Sequence, residues 1–512
     1  MTQRDLESYR PLFSPEAFAE LLAELDRPAL PAIRLNTLKT QIERFVPLWA
    51  EWYGWEIQSL PFCAAGWQLP RYDTSPAKTF EYWMGHYYIQ DAASMLPVEM
   101  FSPAAPETPL ILDMAAAPGG KTTHLVSRFQ DRALIVANDS SLNRIGALRA
   151  NLQQWGAMNC LVTNLLGEKF GGGWPETFDL ILLDAPCSGD NWQRQAKQRQ
   201  HRAITPKEEK RLQERQIHLL TSAFQTLKPG GEIVYSTCTV APEENEAVLD
   251  HLLRLYPGNA VIEIITHLSF DEDSHGLTFY GETLFTKQVR HAIRLWPHLF
   301  HTTFLFAARI RKTEEITGAA RQFRDKVPIP DKYRRDFATP DRSETCPYES
   351  QRGRRGGSAT LPQDIKKAIA NDIYATLWND YGFDFSALGG DWELRQQRES
   401  VFIVPRRIEE ELADIPAVAA GFLFGQLTDD RFIPSHELVA RFEHEFTGQR
   451  ITVSDDLSRL WLSGRDIPYP GGAVDYPIVL LQDEKQRFLG RGKIGGQRIR
   501  NLLPKRFFSG RS

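Results

Sequence analysis

The chain is poor in cysteine. Five occur, at positions 63, 160, 187, 238 and 346, and no two form a Cys-x-x-Cys pair. So odd and scattered a set argues against a disulfide framework or a zinc site and fits a reducing, cytoplasmic setting. No stretch approaches the roughly 18 consecutive apolar residues of a membrane span, so no membrane partner is expected. The opening Met-Thr-Gln-Arg-Asp-Leu-Glu lacks the apolar core of a secretory leader. A basic excess is missing too: 60 Lys and Arg stand against 65 Asp and Glu, a net charge of −5. Any nucleic-acid footprint must therefore be local.

What is present is a 512-residue chain, 42% hydrophobic and 24% charged. That is globular composition, too long for one core, so two or three domains are expected. Residues 1–105 are mixed, with a helix predicted over Pro15–Leu25. Beyond Pro109 short apolar runs alternate with helical segments. The runs are Leu110–Met114, Ala133–Ala137, Cys160–Thr163, Phe178–Leu183, Glu232–Tyr235 and, last, Thr303–Ile310. The helices are an amphipathic stretch to about Phe129, then Leu142–Trp155, Pro206–Leu227 and one starting at Pro242. This alternation predicts an α/β unit over 106–312 with a parallel sheet covered on both faces. Residues 313–362 turn polar and proline-bearing and read as a linker. Residues 363–512 give a helix and then short strand-like runs.

The first chemistry-bearing motif is Leu110-Ile-Leu-Asp113-Met-Ala115-Ala116-Ala117-Pro118-Gly119-Gly120-Lys121-Thr122. It places a carboxylate at a strand end, then small residues, then a helix start whose free N–H groups can meet an anionic ligand. Two readings compete. Gly120-Lys121-Thr122 matches the end of a phosphate-binding loop and Leu180–Asp184 looks like the Walker B strand that accompanies one, but the loop's first glycine would fall at Ala115. The other reading is the pocket of a Rossmann-like methyltransferase, whose second strand should end in an acid for the ribose; Asp139 supplies one.

Two further motifs follow apolar strands: Asp184-Ala-Pro-Cys187-Ser-Gly189 and Ser236-Thr-Cys238-Thr239. Carboxyl ends of neighbouring strands share one crevice, so both thiols should face one ligand. Carbon 5 of cytosine is a poor nucleophile until a thiolate adds at carbon 6. Cys238 would be that thiolate, helped by a cation or helix N-terminus, with Lys121 and the helix near Pro242 as candidates. Asp184 would hold the ring nitrogen, and Cys187 would assist release. Cys63, Cys160 and Cys346 read as buried small hydrophobes.

Together these motifs resemble the Nol1/Nop2/Sun family of RNA 5-methylcytosine methyltransferases. That family pairs a Pro-Cys motif after strand 4 with a Thr-Cys motif after strand 5, as Pro186-Cys187 and Thr237-Cys238 do here. The resemblance implies a class I methyltransferase fold, S-adenosyl-L-methionine as cofactor, Cys238 as nucleophile and Cys187 as the releasing thiol. It also implies a cofactor loop at Ala115–Lys121, a ribose-binding acid at Asp139 and a catalytic aspartate at Asp184. Residues 32–39, 88–96 and Glu243-Glu244-Asn245-Glu246 match the family as well. The segment 460–470 is similar to the C-terminal part of the bacterial ribosomal RNA small-subunit methyltransferase F group, which implies an α+β N-terminal RNA-side domain and α+β PUA-like modules at the C-terminus. Three positions depart from the pattern: Asp190-Asn191 follows Cys-Ser-Gly, the loop 192–204 lacks the usual Arg-Lys-Asp, and Leu166 stands where an adenine-binding aspartate is expected. Asn164 is the candidate replacement.

For RNA contact, residues 485–511 carry Lys485, Arg487, Arg491, Lys493, Arg498, Arg500, Lys505, Arg506 and Arg511 with no acid, and Phe507 and Phe508 near the end. Such a segment can bind phosphates. Arg194, Lys197, Arg199, His201 and Arg202 form a second basic stretch. The expected partner is small-subunit ribosomal RNA or the subunit itself, bound by a monomer without a metal ion. The competing reading is a catalytically silent RNA-binding ribosome assembly factor.

Overall fold

The computed structural model describes residues 7–39, 42–189, 205–315, 363–428, 431–448, 450–469, 471 and 478–504. The predicted loop 192–204, the residues 316–362 of the linker, Cys346 and the segment 505–512 lie outside them. The helix Pro15–Leu25 forms as expected. Ser14 Oγ accepts the Ala17 N–H, Pro15 occupies the first turn, and Phe18, Leu21 and Leu25 are buried on one face. Next comes a four-stranded antiparallel sheet in the order Trp55–Leu60, Cys63–Tyr72, Ala32–Leu35, Tyr87–Ile89. Ile33, Leu35, Trp49, Trp55 and Leu69 form its core.

The central unit carries five parallel strands: β1 (Leu110–Asp113), β2 (Leu134–Asn138), β3 (Cys160–Thr163), β4 (Phe178–Asp184) and β5 (Leu227–Thr237). Around them lie α1 (Gly120–Arg128), α2 (Leu142–Trp155), α3 (Pro206–Thr226) and α4 (Glu246–Leu255). The spatial order β3-β2-β1-β4-β5 extends to β8 (Leu305–Lys312) and β6 (Ala260–Ile262), while β7 (Ile293–Leu295) pairs with β8. The outer pairings β5–β8, β6–β8 and β7–β8 are antiparallel, so the sheet is mixed rather than parallel throughout. Parallel neighbours need a crossover of a dozen or more residues, usually a helix. Between β6 and β8 the chain has short helical turns, a two-residue-per-strand hairpin and the short strand β7, with no long crossover helix.

Most boundaries fall within two residues of the expectation, and two element starts are displaced further. β5 starts at Leu227, not Glu232, because the turn residues Pro229-Gly230-Gly231 sit inside the strand, where the pairing shifts between Phe178↔Leu227 and Leu180↔Glu232. A Cβ on Gly231 would come within 2.6 Å of the Asp179 carbonyl, so only glycine allows this approach. The helix expected from Pro242 begins at Glu246; residues 242–245 form a turn.

The C-terminal residues build two five-stranded sheets, spanning 363–434 and 450–501, which share one apolar core including Val401, Phe422, Trp461 and Leu480. They do not stand apart from the central unit. Ala419–Ala420 adds an antiparallel strand to the edge of β3, and Ile408, Leu412 and Ile415 join the core between sheet and helices. Arg441 is ion-paired with the buried Asp131. Two arginines assigned to the basic terminus are structural instead. Arg487 bridges Asp483 and the buried Glu81, and the Arg491 guanidinium turns inward to the Pro434 carbonyl. Among the described residues no helix is long and apolar enough to cross a membrane.

Candidate active site

The cofactor-side loop leaves β1 and folds back on itself. Ala116 N–H donates to Asn138 O at 2.7 Å, and Gly119 N–H donates to Ala116 O at 2.7 Å. Gly119 enters α1 at φ 109°, a conformation glycine adopts without strain. Asp139 stands 3% exposed beside this loop. Its Oδ2 accepts the Ala117 N–H at 3.1 Å, its Oδ1 accepts the Ser141 N–H at 2.8 Å, and Arg144 lies 3.3 Å away. The acid at the end of β2 is therefore tied to the backbone of Ala115–Lys121, as the pairing of β1 with β2 demands.

Asp113, which the sequence leaves as a strand-end carboxylate, is buried at the base of the loop. Its Oδ2 accepts the Thr122 hydroxyl at 2.6 Å, while Oδ1 is buried with no hydrogen-bond partner. Burial pushes this carboxyl up to about 7; the Thr122 bond opposes the rise and the negative charge of Asp184 adds to it. At the end of β3, Asn164 donates its Nδ2 to Asp139 O at 2.6 Å. Leu166 is half-buried and offers no side-chain hydrogen bond at this loop.

Asp184, at the end of β4, is held from two sides. Lys121 Nζ donates to Oδ2 at 2.7 Å and Ser236 Oγ to Oδ1 at 2.8 Å. Lys121 thus joins the glycine-bearing loop after β1 to this aspartate, and its ammonium is committed to a carboxylate. The N-terminus of α4 cannot stand in for it beside Cys238, since the helix starts only at Glu246.

β4 and β5 are hydrogen-bonded neighbours, and Ala185 N–H donates to Ser236 O at 2.8 Å. Cys187 and Cys238 consequently meet, with a Cα–Cα separation of 6.5 Å and the two sulfurs joined as a disulfide. The sequence argues against a disulfide framework, and among the described residues this single pair at the strand ends is the one join it did not anticipate. Residues 51 apart in sequence are brought together by strand pairing, which their spacing does not reveal. Only a reduced Cys238 can act as a nucleophile. Cys63 and Cys160 are buried and free, as read; burial pushes both thiols up.

Gln216 escaped sequence reasoning altogether, while Arg34, Ser236 and Asn245 lay in matched segments to which no individual role was given. Arg34, fully buried on the N-terminal sheet, donates to Gly120 O at 2.9 Å and Thr123 Oγ1 at 2.7 Å in the first turn of α1. Its place in the run Ile-Arg-Leu-Asn, a charge between apolar strand residues, was the available signal. Two acid-containing clusters could be taken for metal sites, but each already holds arginine. Glu99 of the Cys63–Glu99–His124 group is paired with Arg128 at 2.8 Å, and Asp364, Glu393 and Glu409 surround Arg395.

The chain compares with known proteins over nearly its whole length. Residues 98–311 match the 16S rRNA methyltransferase RsmB/F family, and residues 3–92 match the N-terminal domain of 16S rRNA methyltransferase RsmF. Ribosomal RNA small subunit methyltransferase F of Aliivibrio fischeri (strain MJ11) is 30% identical over 491 residues, 95% of this chain and 93% of its own. The protein of that name from Klebsiella pneumoniae (strain 342) is 30% identical over 493 residues, 96% and 92%. Among solved structures, a methyltransferase homolog protein from Pyrococcus horikoshii superposes with a TM-score of 0.51 at 30% identity, over 61% of this chain and all (100%) of its own. With a methyltransferase sheet, its glycine loop and matches of this extent, the chain belongs to the RsmB/F family of 16S rRNA methyltransferases, within the RsmF group of Nol1/Nop2/Sun proteins.

Proposed function

We propose that this protein methylates carbon 5 of a cytosine in 16S ribosomal RNA, with Cys238 as covalent nucleophile. The observation that carries the proposal is the meeting of Cys187 and Cys238 at adjacent strand ends, next to an aspartate held by Lys121 and Ser236. The reaction starts from the dithiol form of the pair, in which Cys238 carries a free thiol. Its thiolate forms a bond to carbon 6, and the electron pair of the 5,6 double bond moves to carbon 5. Asp184 holds the ring nitrogen while charge builds there. After transfer, Cys187 assists removal of the carbon 5 proton; the sulfur–carbon 6 bond breaks, the double bond returns and Cys238 leaves as thiolate. Carbon 6 is shielded in a stacked duplex, so the target base is flipped out or single-stranded.

S-adenosyl-L-methionine, when bound, supplies an electrophilic methyl group on a sulfonium. The residues fit it: Ala115, Ala116, Ala117, Pro118, Gly119, Gly120 and Lys121 leave the backbone approachable, the buried unpartnered Asp113 Oδ1 suits an ammonium, and Asp139 stands for the ribose. Asn164, its Nδ2 already donated, retains a carbonyl oxygen for the adenine amine in place of the aspartate absent at Leu166.

For RNA, the C-terminal sheets serve as PUA-like modules. Lys493, Arg498 and Arg500 are exposed on two paired strands, with Lys493 opposite Arg500, and so offer a basic ribbon to phosphates. The test is bisulfite mapping of ribosomal RNA from cells carrying the native protein or Cys238→Ala. Loss of one 5-methylcytosine is expected; an unchanged map rejects the proposal.

A further inference from the structure

Between the two cysteine turns lies a buried polar group that the scheme above leaves unused. Gln216, on α3, is fully buried. Its Nε2 donates to Pro186 O at 2.9 Å and to Glu244 Oε2 at 2.7 Å. The same Glu244 oxygen accepts the Ser188 N–H at 3.0 Å, and Glu244 is itself only 2% exposed. Cys187 is therefore gripped on both flanks: the carbonyl before it by Gln216, the N–H after it by Glu244.

The turn carrying Cys238 has a separate clamp. Thr237 Oγ1 donates to Asn245 Oδ1 at 2.5 Å, and Asn245 Nδ2 donates to Thr239 O at 2.9 Å. Ser188 Oγ also donates to Thr239 Oγ1 at 3.0 Å, a hydrogen bond between the two turns. The two thiols are thus seated by different residues. Loss of Gln216 loosens the Cys187 turn and leaves the Asn245 clamp on Cys238 in place.

We infer that Gln216 and Glu244 are positioning residues that set Cys187 for product release, while attack by Cys238 does not depend on them. This rests on the release role assigned to Cys187 above. A proton-transfer group misplaced by about 1 Å can lose about 10²-fold in rate, so the release step is where a slackened turn is felt.

Gln216→Met keeps the side-chain length and removes both donated bonds. Single-turnover methyl transfer to a 16S RNA substrate should stay within about threefold of native, and multiple turnover should fall by about tenfold or more. A protein–RNA adduct should accumulate as a retarded band on a denaturing gel. Glu244→Gln, which keeps an acceptor in place, should release product where Glu244→Leu does not. Cys187→Ala is run alongside. If it forms no adduct, the release role of Cys187 fails. If it does, but folded Gln216→Met forms none, or loses transfer and release in parallel, the positioning role is overturned. Folding is read from far-UV circular dichroism and S-adenosylhomocysteine binding. Should Gln216→Met not fold, Gln216→Asn, a methylene short of both acceptors, is judged by the same criteria.

Discussion

Arg34→Met separates what holds the N-terminal sheet to the cofactor loop from what merely fills space. The Arg34 guanidinium donates to Gln90 Oε1 at 2.9 Å, Gly120 O at 2.9 Å and Thr123 Oγ1 at 2.7 Å, and it stacks over Trp155 at 4.6 Å. Three hydrogen bonds from a charged donor are worth about 5–9 kcal/mol together. Against them stands the cost of keeping a cation from water. Burial pulls the Arg34 guanidinium from its ordinary value down to about 10. At about 1.4 kcal/mol per pH unit that is about 3 kcal/mol. The difference is about 2–6 kcal/mol, and because the Met side chain keeps an apolar stem over Trp155 the expected net loss falls in its lower half. It should be read as a lowered urea midpoint. Because Gly120 and Thr123 form the first turn of α1, S-adenosylhomocysteine should also bind about fivefold more weakly, a loss of about 1 kcal/mol, in calorimetry. Arg34→Lys should behave much like Arg34→Met, since a single ammonium cannot reproduce the fork. A full loss of stability with cofactor affinity intact would refute the link between this arginine and the loop.

Two further outcomes follow from the site. Burial raises the Asp113 carboxyl from 3.8 to about 7 in the folded protein. The stability it contributes is therefore complete below about pH 4 and is lost as pH rises through about 7. Asp113→Asn should remove that part of the pH dependence of the urea midpoint; an unaltered profile would show that the carboxyl does not titrate there. Leu166→Asp should tighten S-adenosylhomocysteine binding by about 2–13-fold, the worth of one hydrogen bond at about 0.5–1.5 kcal/mol; unchanged affinity would place the adenine edge elsewhere.

Much of the central unit was legible from its residues. Leu142–Trp155 and Cys160–Thr163 fall where apolar spacing puts them, because a covered strand and an amphipathic helix each leave a local periodic trace. Strand β5 was read as starting five residues late, since Pro229-Gly230-Gly231 signals a turn and only its pairing with β4 keeps the chain extended. The basic terminus was misread at two positions for a similar reason. Charge counts carry no direction, and Arg487 and Arg491 point at Glu81 and Pro434 rather than at solvent.

By itself the sequence determined the chemistry available: two thiols and an aspartate just past strand ends, a glycine loop leading a helix, and a leucine where an acid was expected. Tertiary structure alone decided how these groups meet. Pairing of β4 with β5 brought Cys187 against Cys238, Lys121 crossed from α1 to Asp184, and Gln216 reached from α3 to the turn before Cys187. Those contacts span tens of residues and arise from strand register and helix packing. A local pattern of residue types cannot encode either without the sheet that sets them side by side.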